Sequence, residues 1–393
     1  MKEIARSNRI HITIYGRRNV GKSSLVNAIC GQDVSIVSDV AGTTTDVVWK
    51  NMELPGVGAA VIGDTAGYDD TGEVGAMRVD VTRKSVARTD VAVILLHENY
   101  EDNLLEKEWK SLLEKYDIPT LFVVAKAENV AETALKWELE LGVNVLKTSL
   151  SVKESIMELV SKIAGCVGNE NTGNDITHSL VKPGDIVVLV MPQDAQAPKG
   201  RLIQPQVQTL RNLLDKHCIP LCCAPEEYST LLASLAVPPS LVITDSQVFA
   251  NVEKQTPQNV RLTSFSVLMA RHKGDIHIFR QGAEKLLSLS SNSRVLIAEA
   301  CSHIPQNEDI GRVKLPCMLR NRFGDNLKID IVSGNDFPDE LDGYDLVIHC
   351  GACMFTRRHV MHRIRQAALQ KVPITNYGIA IAALTGILDR VEL

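Results

Sequence analysis

Residues 10–29, IHITIYGRRNVGKSSLVNAI, are the most informative stretch for the fold class of the first part of the chain. An apolar, strand-like run at 10–15 leads into GRRNVGKS at 16–23, which has the pattern G-x-x-x-x-G-K-S, and a helix-like run follows. Glycines at these positions let backbone N–H groups surround phosphate oxygens at a helix N-terminus. The stretch therefore predicts a strand, a phosphate-binding loop and a helix, in that order.

The loop also predicts individual ligands. Lys22 is expected to neutralise the β- and γ-phosphates, and Ser23 to place its hydroxyl on Mg²⁺. The nucleotide-binding residues that we predict here are Gly16, Asn19, Val20, Gly21, Lys22, Ser23 and Ser24.

Two further elements complete a nucleotide site. DTAG at 64–67 follows the apolar run 59–62, so Asp64 is expected at the C-terminal end of a strand as a partner of Mg²⁺. GTTTD at 42–46 offers threonine hydroxyls that are suited to sensing γ-phosphate and Mg²⁺ as a switch. Thr43 and Thr44 are predicted nucleotide ligands, Thr44 also on Mg²⁺, and the predicted catalytic residues are Lys22, Thr44, Asp64 and Gly67.

Length and composition narrow the class of protein. A chain of 393 residues with 45% hydrophobic and 23% charged residues predicts two or three globular domains. The net charge of −5 and the aromatic content of 4% argue against nucleic-acid binding. Apolar runs such as 91–96 are too short to cross a membrane, and no secretory signal precedes residue 10, so we expect no membrane contact and a cytoplasmic location.

Strand-like and helix-like segments alternate along the whole chain, which predicts an α/β fold with mainly parallel sheets. The predicted strands lie at 10–15, 59–62, 91–96, 120–125, 143–146, 240–244, 294–298, 328–332 and 344–348. The predicted domains are a P-loop domain at 1–165, a linker at 166–178, a middle α/β domain at 179–265 and a C-terminal α/β domain at 266–393.

Cysteine and histidine residues follow two predicted strands of the C-terminal domain. CSH at 301–303 comes after the strand 294–298, and HCGAC at 349–353 comes after the strand 344–348. Because parallel strands end at a shared edge, we expect the two segments to meet around one metal centre. Three thiolates with a histidine suit an iron-sulfur cluster, and tetrahedral zinc is the alternative.

Other cysteines and histidines favour ordinary structural roles. Cys218, Cys222 and Cys223 flank an Ile-Pro-Leu segment that is typical of a short buried strand. His359 and His362 stand beside arginines on a predicted helix from 357 to 370, and this pattern favours a solvated basic face.

The order GRRNVGKS, GTTTD, DTAG resembles the GTPase branch typified by the tRNA-modification GTPase and the ribosome-assembly GTPase Era. That resemblance implies GTP as substrate and a potassium ion held by Asn19. Tyr68 follows DTAG where Ras-like enzymes have a water-orienting Gln, which fits a potassium-assisted or slow enzyme. The guanine element N-K-x-D appears as AKAE at 125–128, so Lys126 and Glu128 are the predicted base ligands and base specificity is relaxed.

The GTPase pattern together with C-x-H … H-C-x-x-C resembles the iron-iron hydrogenase maturation GTPase family, HydF. Stretches at 197–208, 241–249 and 372–382 are also similar to that family. The resemblance implies a middle domain that forms a homodimer and a 4Fe-4S cluster on Cys301, Cys350 and Cys353, with His303 and His349 as further candidate ligands. It also implies a scaffold that receives a di-iron precursor from two radical-SAM maturases and delivers it to the apo iron-iron hydrogenase.

Two alternatives remain open from the sequence. One is a regulatory GTPase of the tRNA-modification or ribosome-assembly branch with a structural zinc or a metal-free C-terminal domain. The other is a binding scaffold without hydrolysis, which Ala125, Glu128 and Tyr68 would suit.

Overall fold

The computed structural model describes residues 9–31, 47–98, 102–127, 129–167, 175–193, 202–300, 310–334, 336–352 and 355–393. The chain divides into two compact units, Met1–Asn171 and Thr172–Leu393. Both are α/β units with mainly parallel sheets, so the predicted fold class is confirmed. In the described part of the chain, no helix combines the length and apolar character needed to cross a bilayer.

The first unit is built on a six-stranded sheet with helices on both faces. Its strands are β1 (Ile10–Gly16), β2 (Val48–Leu54), β3 (Gly58–Asp64), β4 (Val91–Leu96), β5 (Thr120–Val124) and β6 (Val145–Lys147). Its helices are α1 (Lys22–Cys30), α2 (Gly72–Ser85), α3 (Leu104–Lys115), α4 (Val130–Leu141) and α5 (Lys153–Val167). The strand order is β2-β3-β1-β4-β5-β6, and only the β2–β3 pair is antiparallel.

The central strand β4 explains why both faces of this sheet are covered. All six of its residues, VAVILL, are buried. Val91, Val93 and Leu95 pack into the core on the α1 and α5 side, whereas Ala92, Ile94 and Leu96 pack into the core that holds Trp109 and Trp137. A continuous apolar strand of this kind requires two apolar faces, because successive side chains point to opposite sides.

The second unit contains two four-stranded parallel sheets. Their strands are β7 (Ile186–Val190), β8 (Ile219–Cys223), β9 (Leu241–Thr244), β10 (Arg261–Ser264), β11 (Arg294–Ala298), β12 (Lys328–Val332), β13 (Leu346–His349) and β14 (Ile374–Asn376). Its helices are α6 (Gln204–Asp215), α7 (Tyr228–Ser234), α8 (Phe249–Gln255), α9 (Phe265–Lys273), α10 (Ile276–Leu286), α11 (Leu315–Phe323), α12 (Arg357–Leu369) and α13 (Tyr377–Leu384). The strand orders are β10-β9-β7-β8 and β12-β11-β13-β14.

Helix α9 lies between the two hydrophobic cores of the second unit. Val267 and Ala270 pack into the core that both sheets share, whereas Leu268 and Met269 pack into a core under the first of these sheets. The apolar run 267–270 points to opposite sides of the helix, so α9 can be buried against both cores. This position gives α9 contacts with residues from both sheets.

Three expectations about local structure need correction. The segment at 219–223 is an edge strand, β8, with Ile219 and Cys222 exposed, because β7 is its one neighbour among the described strands. Helix α12 does not carry a wholly solvated basic face, since His359 and Arg363 are buried. The segment 166–178 is not linker throughout, because α5 continues to Val167 and Ile176 is buried.

Candidate functional sites

The phosphate-binding loop follows β1 and precedes α1, as the sequence predicts. Gly16 has φ +149°, and a Cβ at that position would stand 2.7 Å from the carbonyl oxygen of Leu95. Gly21 has φ +104° and precedes the first residue of α1. Both positions thus favour glycine, one because of a close approach and both because of their positive φ.

Lys22 is buried and turned back onto the loop. Its Nζ donates to the carbonyl oxygens of Gly16 at 3.0 Å and Arg17 at 2.7 Å. Burial lowers the pKa of Lys22, and the negative charge of Asp64 opposes that shift. The ammonium is therefore held at the loop by carbonyl groups that an entering phosphate can replace as its partner.

Asp64 ends β3 beside this loop, at the C-terminal edge of the sheet. Its Oδ1 atom is buried and has no hydrogen-bond partner among the described residues. Thr65, the next residue, donates its hydroxyl to the carbonyl oxygen of Ile14 at 2.7 Å and so ties the start of DTAG to β1. An unpaired buried carboxylate oxygen suits a hard cation such as Mg²⁺.

A buried carboxylate that sequence reasoning did not identify joins the loop to the segment after DTAG. Glu106 of α3 accepts hydrogen bonds from Arg17 Nε at 2.7 Å and Nη2 at 2.9 Å, and from the Tyr68 hydroxyl at 3.0 Å. Its side chain is only 2% exposed. The hydrogen bond to Glu106 raises the pKa of Arg17.

Tyr68 is held away from solvent by this contact. Its ring stacks on Trp109 with centroids 5.3 Å apart, and burial raises the pKa of its hydroxyl well above the usual value. The hydroxyl is therefore a hydrogen-bond donor to Glu106. Two residues of α3, Glu106 and Trp109, thus fix the side chain of Tyr68, which follows DTAG at the position where Ras-like enzymes have a water-orienting Gln.

The region that the sequence predicts to bind the base is an open pocket of about 650 Å³ at the ends of β5 and β6. The residues that line it are Glu98, Ala125, Lys126, Ala127, Val130, Lys147, Thr148, Ser149 and Ser155. Predicted base ligand Lys126 is among them, whereas Glu128 lies outside the described residues. Thr43 and Thr44 also lie outside them, so their roles stay predictions.

The second candidate site lies at the C-terminal edge of the sheet β12-β11-β13-β14. Strands β11 and β13 are parallel neighbours with Ala298 opposite His349. The Cys350 N–H donates to the Ala298 carbonyl at 3.0 Å, and the Cys350 Sγ accepts hydrogen bonds from the N–H groups of Ala300 at 3.0 Å and Ala352 at 3.4 Å. Cys350 therefore contacts the residue that directly precedes Cys301.

These contacts fit a thiolate ligand, because N–H donors stabilise negative charge on sulfur and tune bound iron-sulfur clusters. Cys301, His303 and Cys353 lie outside the described residues. Among the residues that are described, no group of three or more His, Cys, Asp and Glu side chains is arranged to hold a metal. The full ligand set therefore stays a prediction.

His349 is engaged within the chain at both ring nitrogens. Its Nδ1 lies 2.8 Å from the Cys350 carbonyl oxygen, and its Nε2 lies 3.0 Å from Arg363 Nη1. Burial, followed by the charge of Arg363, lowers the pKa of His349 to about 3, so the ring is neutral. Arg363 donates to Nε2, which leaves Nδ1–H to donate to the carbonyl of Cys350.

The chain matches known families over most of its length. Residues 11–126 match the model of a 50S ribosome-binding GTPase, residues 176–274 that of the hydrogen maturase F dimerization domain, and residues 277–392 that of the hydrogen maturase F tetramerization domain.

Curated relatives match the first unit mainly. The tRNA modification GTPase MnmE of Chromobacterium violaceum is 33% identical over 162 residues, which are 40% of this chain and 35% of that protein. GTPase Der of Wolinella succinogenes is 35% identical over 122 residues, 30% of this chain and 26% of that protein. The chain thus spans well under half the length of these relatives.

Solved structures are similar at lower identity. Aquifex aeolicus Era with GDP and aluminium fluoride has 18% identity and a TM-score of 0.33, covering 55% of this chain and 92% of that one. The G domain of the T. maritima FeoB iron transporter has 19% identity and a TM-score of 0.30, covering 40% of this chain and 98% of that one.

The maturase-specific matches carry the assignment, because they account for nearly all of the second unit and lie directly after a GTPase match. The chain belongs to the hydrogen maturase F family.

Proposed function

We propose that the chain binds and hydrolyses GTP and acts as a scaffold in hydrogenase maturation. The buried Oδ1 of Asp64, which has no hydrogen-bond partner within the described part of the chain, lies beside the buried P-loop lysine and is the observation that carries the nucleotide part. Family membership supports the maturation part.

In this proposal Lys22 leaves its carbonyl partners and binds the β- and γ-phosphates. Ser23, Thr44 and Asp64 hold Mg²⁺, and Asn19 contributes to a potassium site that supports hydrolysis. Gly67 lets the DTAG segment approach the loop closely, since a Cβ there would stand 2.7 Å from the Arg18 nitrogen. With Tyr68 bound to Glu106, water must be oriented by other groups, which suits slow or potassium-assisted turnover.

The second part of the proposal concerns the C-terminal edge of β11 and β13. Cys301, Cys350 and Cys353 hold a 4Fe-4S cluster, which supplies an iron site for the di-iron cargo. His349 supports the site by fixing the carbonyl of Cys350, and His303 is a candidate fourth ligand. The cargo arrives from two radical-SAM maturases and leaves to the apo iron-iron hydrogenase.

The same proposal keeps the three predicted domains, with the middle domain forming a homodimer, and moves the boundary between the last two from residue 265 to the interval 274–277 between the family matches. It locates the protein in the cytoplasm, without nucleic acid or membrane partners. GTP turnover regulates the exchange of partners and takes no part in cluster chemistry.

Metal analysis tests this function. Iron, zinc and acid-labile sulfide are measured in anaerobically reconstituted wild type, Cys350→Ala and Cys301→Ala, with Cys317→Ala as a control because Cys317 is exposed on α11. We expect iron and sulfide in wild type and the control, and a loss of both in the two site variants. Zinc without sulfide would instead support the alternative of a regulatory GTPase with a structural zinc. That alternative is supported by similarity to tRNA modification GTPases in the first unit.

A further inference from the structure

Helix α9 is bound near both of its ends to residues 350–352 and 355, which we call the cluster loop, directly through Lys273 and by way of Asn376 through Ser266. At its last residue, Lys273 Nζ donates to the carbonyl oxygens of Ala352 at 3.0 Å and Phe355 at 2.8 Å. In its first turn, the Ser266 hydroxyl donates to Asn376 Oδ1 at 3.0 Å, and Asn376 Nδ2 donates to the Cys350 carbonyl at 3.1 Å. One helix therefore fixes carbonyl groups on both sides of residues 353–354.

The chain after this loop is bound to α9 as well. Arg357 Nη1, in the first turn of α12, donates to the carbonyl oxygens of His272 at 3.1 Å and Gly274 at 2.9 Å. Residues at the C-terminal end of α9 therefore bind both the cluster loop, through Lys273, and the start of α12, through the carbonyls of His272 and Gly274.

Burial makes these contacts strong. Lys273 is 3% exposed and Asn376 is 1% exposed. An ammonium group without water needs such carbonyl partners, and hydrogen bonds to charged groups stabilise more than neutral ones. Ala352 also has φ +52°, a conformation that a residue with a Cβ keeps only when its surroundings impose it.

We propose that α9 is a positioning element for the cluster loop and that Lys273 is its principal positioning residue. This inference rests on the proposed cluster function of Cys350. Lys273 belongs to the segment that matches the dimerization domain, whereas the loop belongs to the segment that matches the tetramerization domain. The helix that shapes the cluster loop therefore belongs to the dimerization match, whereas the loop itself belongs to the tetramerization match.

The test compares Lys273→Met with Arg261→Met in the full-length chain. Arg261 is a matched control because it also donates to two main-chain carbonyls, those of Leu180 and Ser240, in the same family segment. Alkylation of Cys350 is followed by peptide mass spectrometry in metal-free protein. We expect Lys273→Met to raise the rate about tenfold or more, and Arg261→Met to leave it near that of wild type. Equal rates in the two variants would overturn the inference.

A second readout follows the reconstituted cluster. Lys273→Met is expected to change the electron paramagnetic resonance spectrum of the reduced cluster and to speed iron loss to a chelator. If wild type binds no cluster, the proposed function fails, and the alkylation rates still decide the role of α9. Should circular dichroism show that Lys273→Met is unfolded, Ser266→Ala replaces it, with an expected increase of about threefold in alkylation. No increase in that variant would also overturn the inference.

Discussion

The two units build their sites from very different distances along the chain. In the first unit, Lys22 and its carbonyl partner Gly16 are 6 residues apart, and the loop between them forms as a local strand-to-helix turn. In the second unit, Lys273 and Ala352 are 79 residues apart, and Ser266 and Asn376 are 110 residues apart. The first site is therefore set largely by local backbone preference, whereas the second depends on packing between distant elements.

Glu106 marks the limit of that contrast. It lies 89 residues from Arg17, yet it is part of the first site. Helix α3 follows β4 in the chain, and β4 is the sheet neighbour of β1, the strand that leads into the loop. The sheet therefore brings Glu106 close to the loop. Even a site with a clear motif therefore relies on a contact between residues that are distant in sequence. Variants of Glu106 and of Lys22 separate such a long-range contact from the local ones.

Removing Glu106 should have the largest effect. Glu106→Ala leaves Arg17, which is 19% exposed, with Asp102 at 3.5 Å as its remaining carboxylate, and it removes the acceptor of the Tyr68 hydroxyl. We expect this to cost about 3 kcal/mol of unfolding free energy in the first unit. The three tryptophans, Trp49, Trp109 and Trp137, all belong to this unit, so urea unfolding followed by tryptophan fluorescence reports on it alone.

Glu108→Ala is the control for that variant, because Glu108 is on the same helix and forms an exposed pair with Arg83. Its expected cost is below about 1 kcal/mol. If both variants were equally stable, the buried contact would not hold the loop to α3.

Lys22→Ala should separate the two sites. Loss of the buried ammonium is expected to weaken GTP binding about 100-fold or more, because it removes a desolvated charge partner of the phosphates. Iron and sulfide content should stay at the wild-type level. Titration with a fluorescent GTP analogue and metal analysis of one preparation check both statements, and a joint loss would argue against separate sites.

The base pocket offers a smaller change. Ala125→Asn with Glu128→Asp restores the amide and the shorter carboxylate of the usual guanine element, so the preference for GTP over ATP should rise about tenfold. Competition binding of the two nucleotides measures the ratio. An unchanged ratio would show that the residues lining this pocket select the base in another way.

Acid should weaken the second unit through a half-buried histidine. Burial, followed by the charges of Lys273, His178 and Arg357, lowers the pKa of His272 from 6.5 to about 4, and the charge of Asp175 opposes that shift. The unfolded chain therefore takes up the proton first, and the free energy of unfolding falls as pH drops from 6.5 towards 4. By pH 5 we expect a loss of about 1 kcal/mol.

Circular dichroism of the second unfolding transition at pH 7 and pH 5 measures that loss, and His272→Gln should reduce it. The tryptophan signal serves as an internal reference for the first unit. A pH dependence that is the same in His272→Gln would assign the effect to other groups.

The sequence predicted much of the fold because the strands are apolar runs with clear ends. Strands β4, β11 and β12 have the bounds predicted from sequence. Strand β2 was missed because its half-buried residues resemble a polar loop, and it pairs with β3 through a short hairpin turn. The prediction of a solvated basic face on α12 was wrong because the Arg363 guanidinium lies over the rings of Phe337 and Phe355. Both rings lie outside α12, so the pattern of the helix alone does not reveal them.

Short sequence patterns were enough to predict the P-loop, the position of Asp64 and the cysteine motifs, because the chemistry of each depends on residue type and spacing. The folded chain was needed to show that Glu106 binds Arg17 and Tyr68, that His349 contacts Arg363, and that Lys273 binds the Ala352 carbonyl. These contacts join charged and polar groups that burial removes from water. The packing of sheets and helices determines which of these groups meet, and a local sequence pattern does not contain that information.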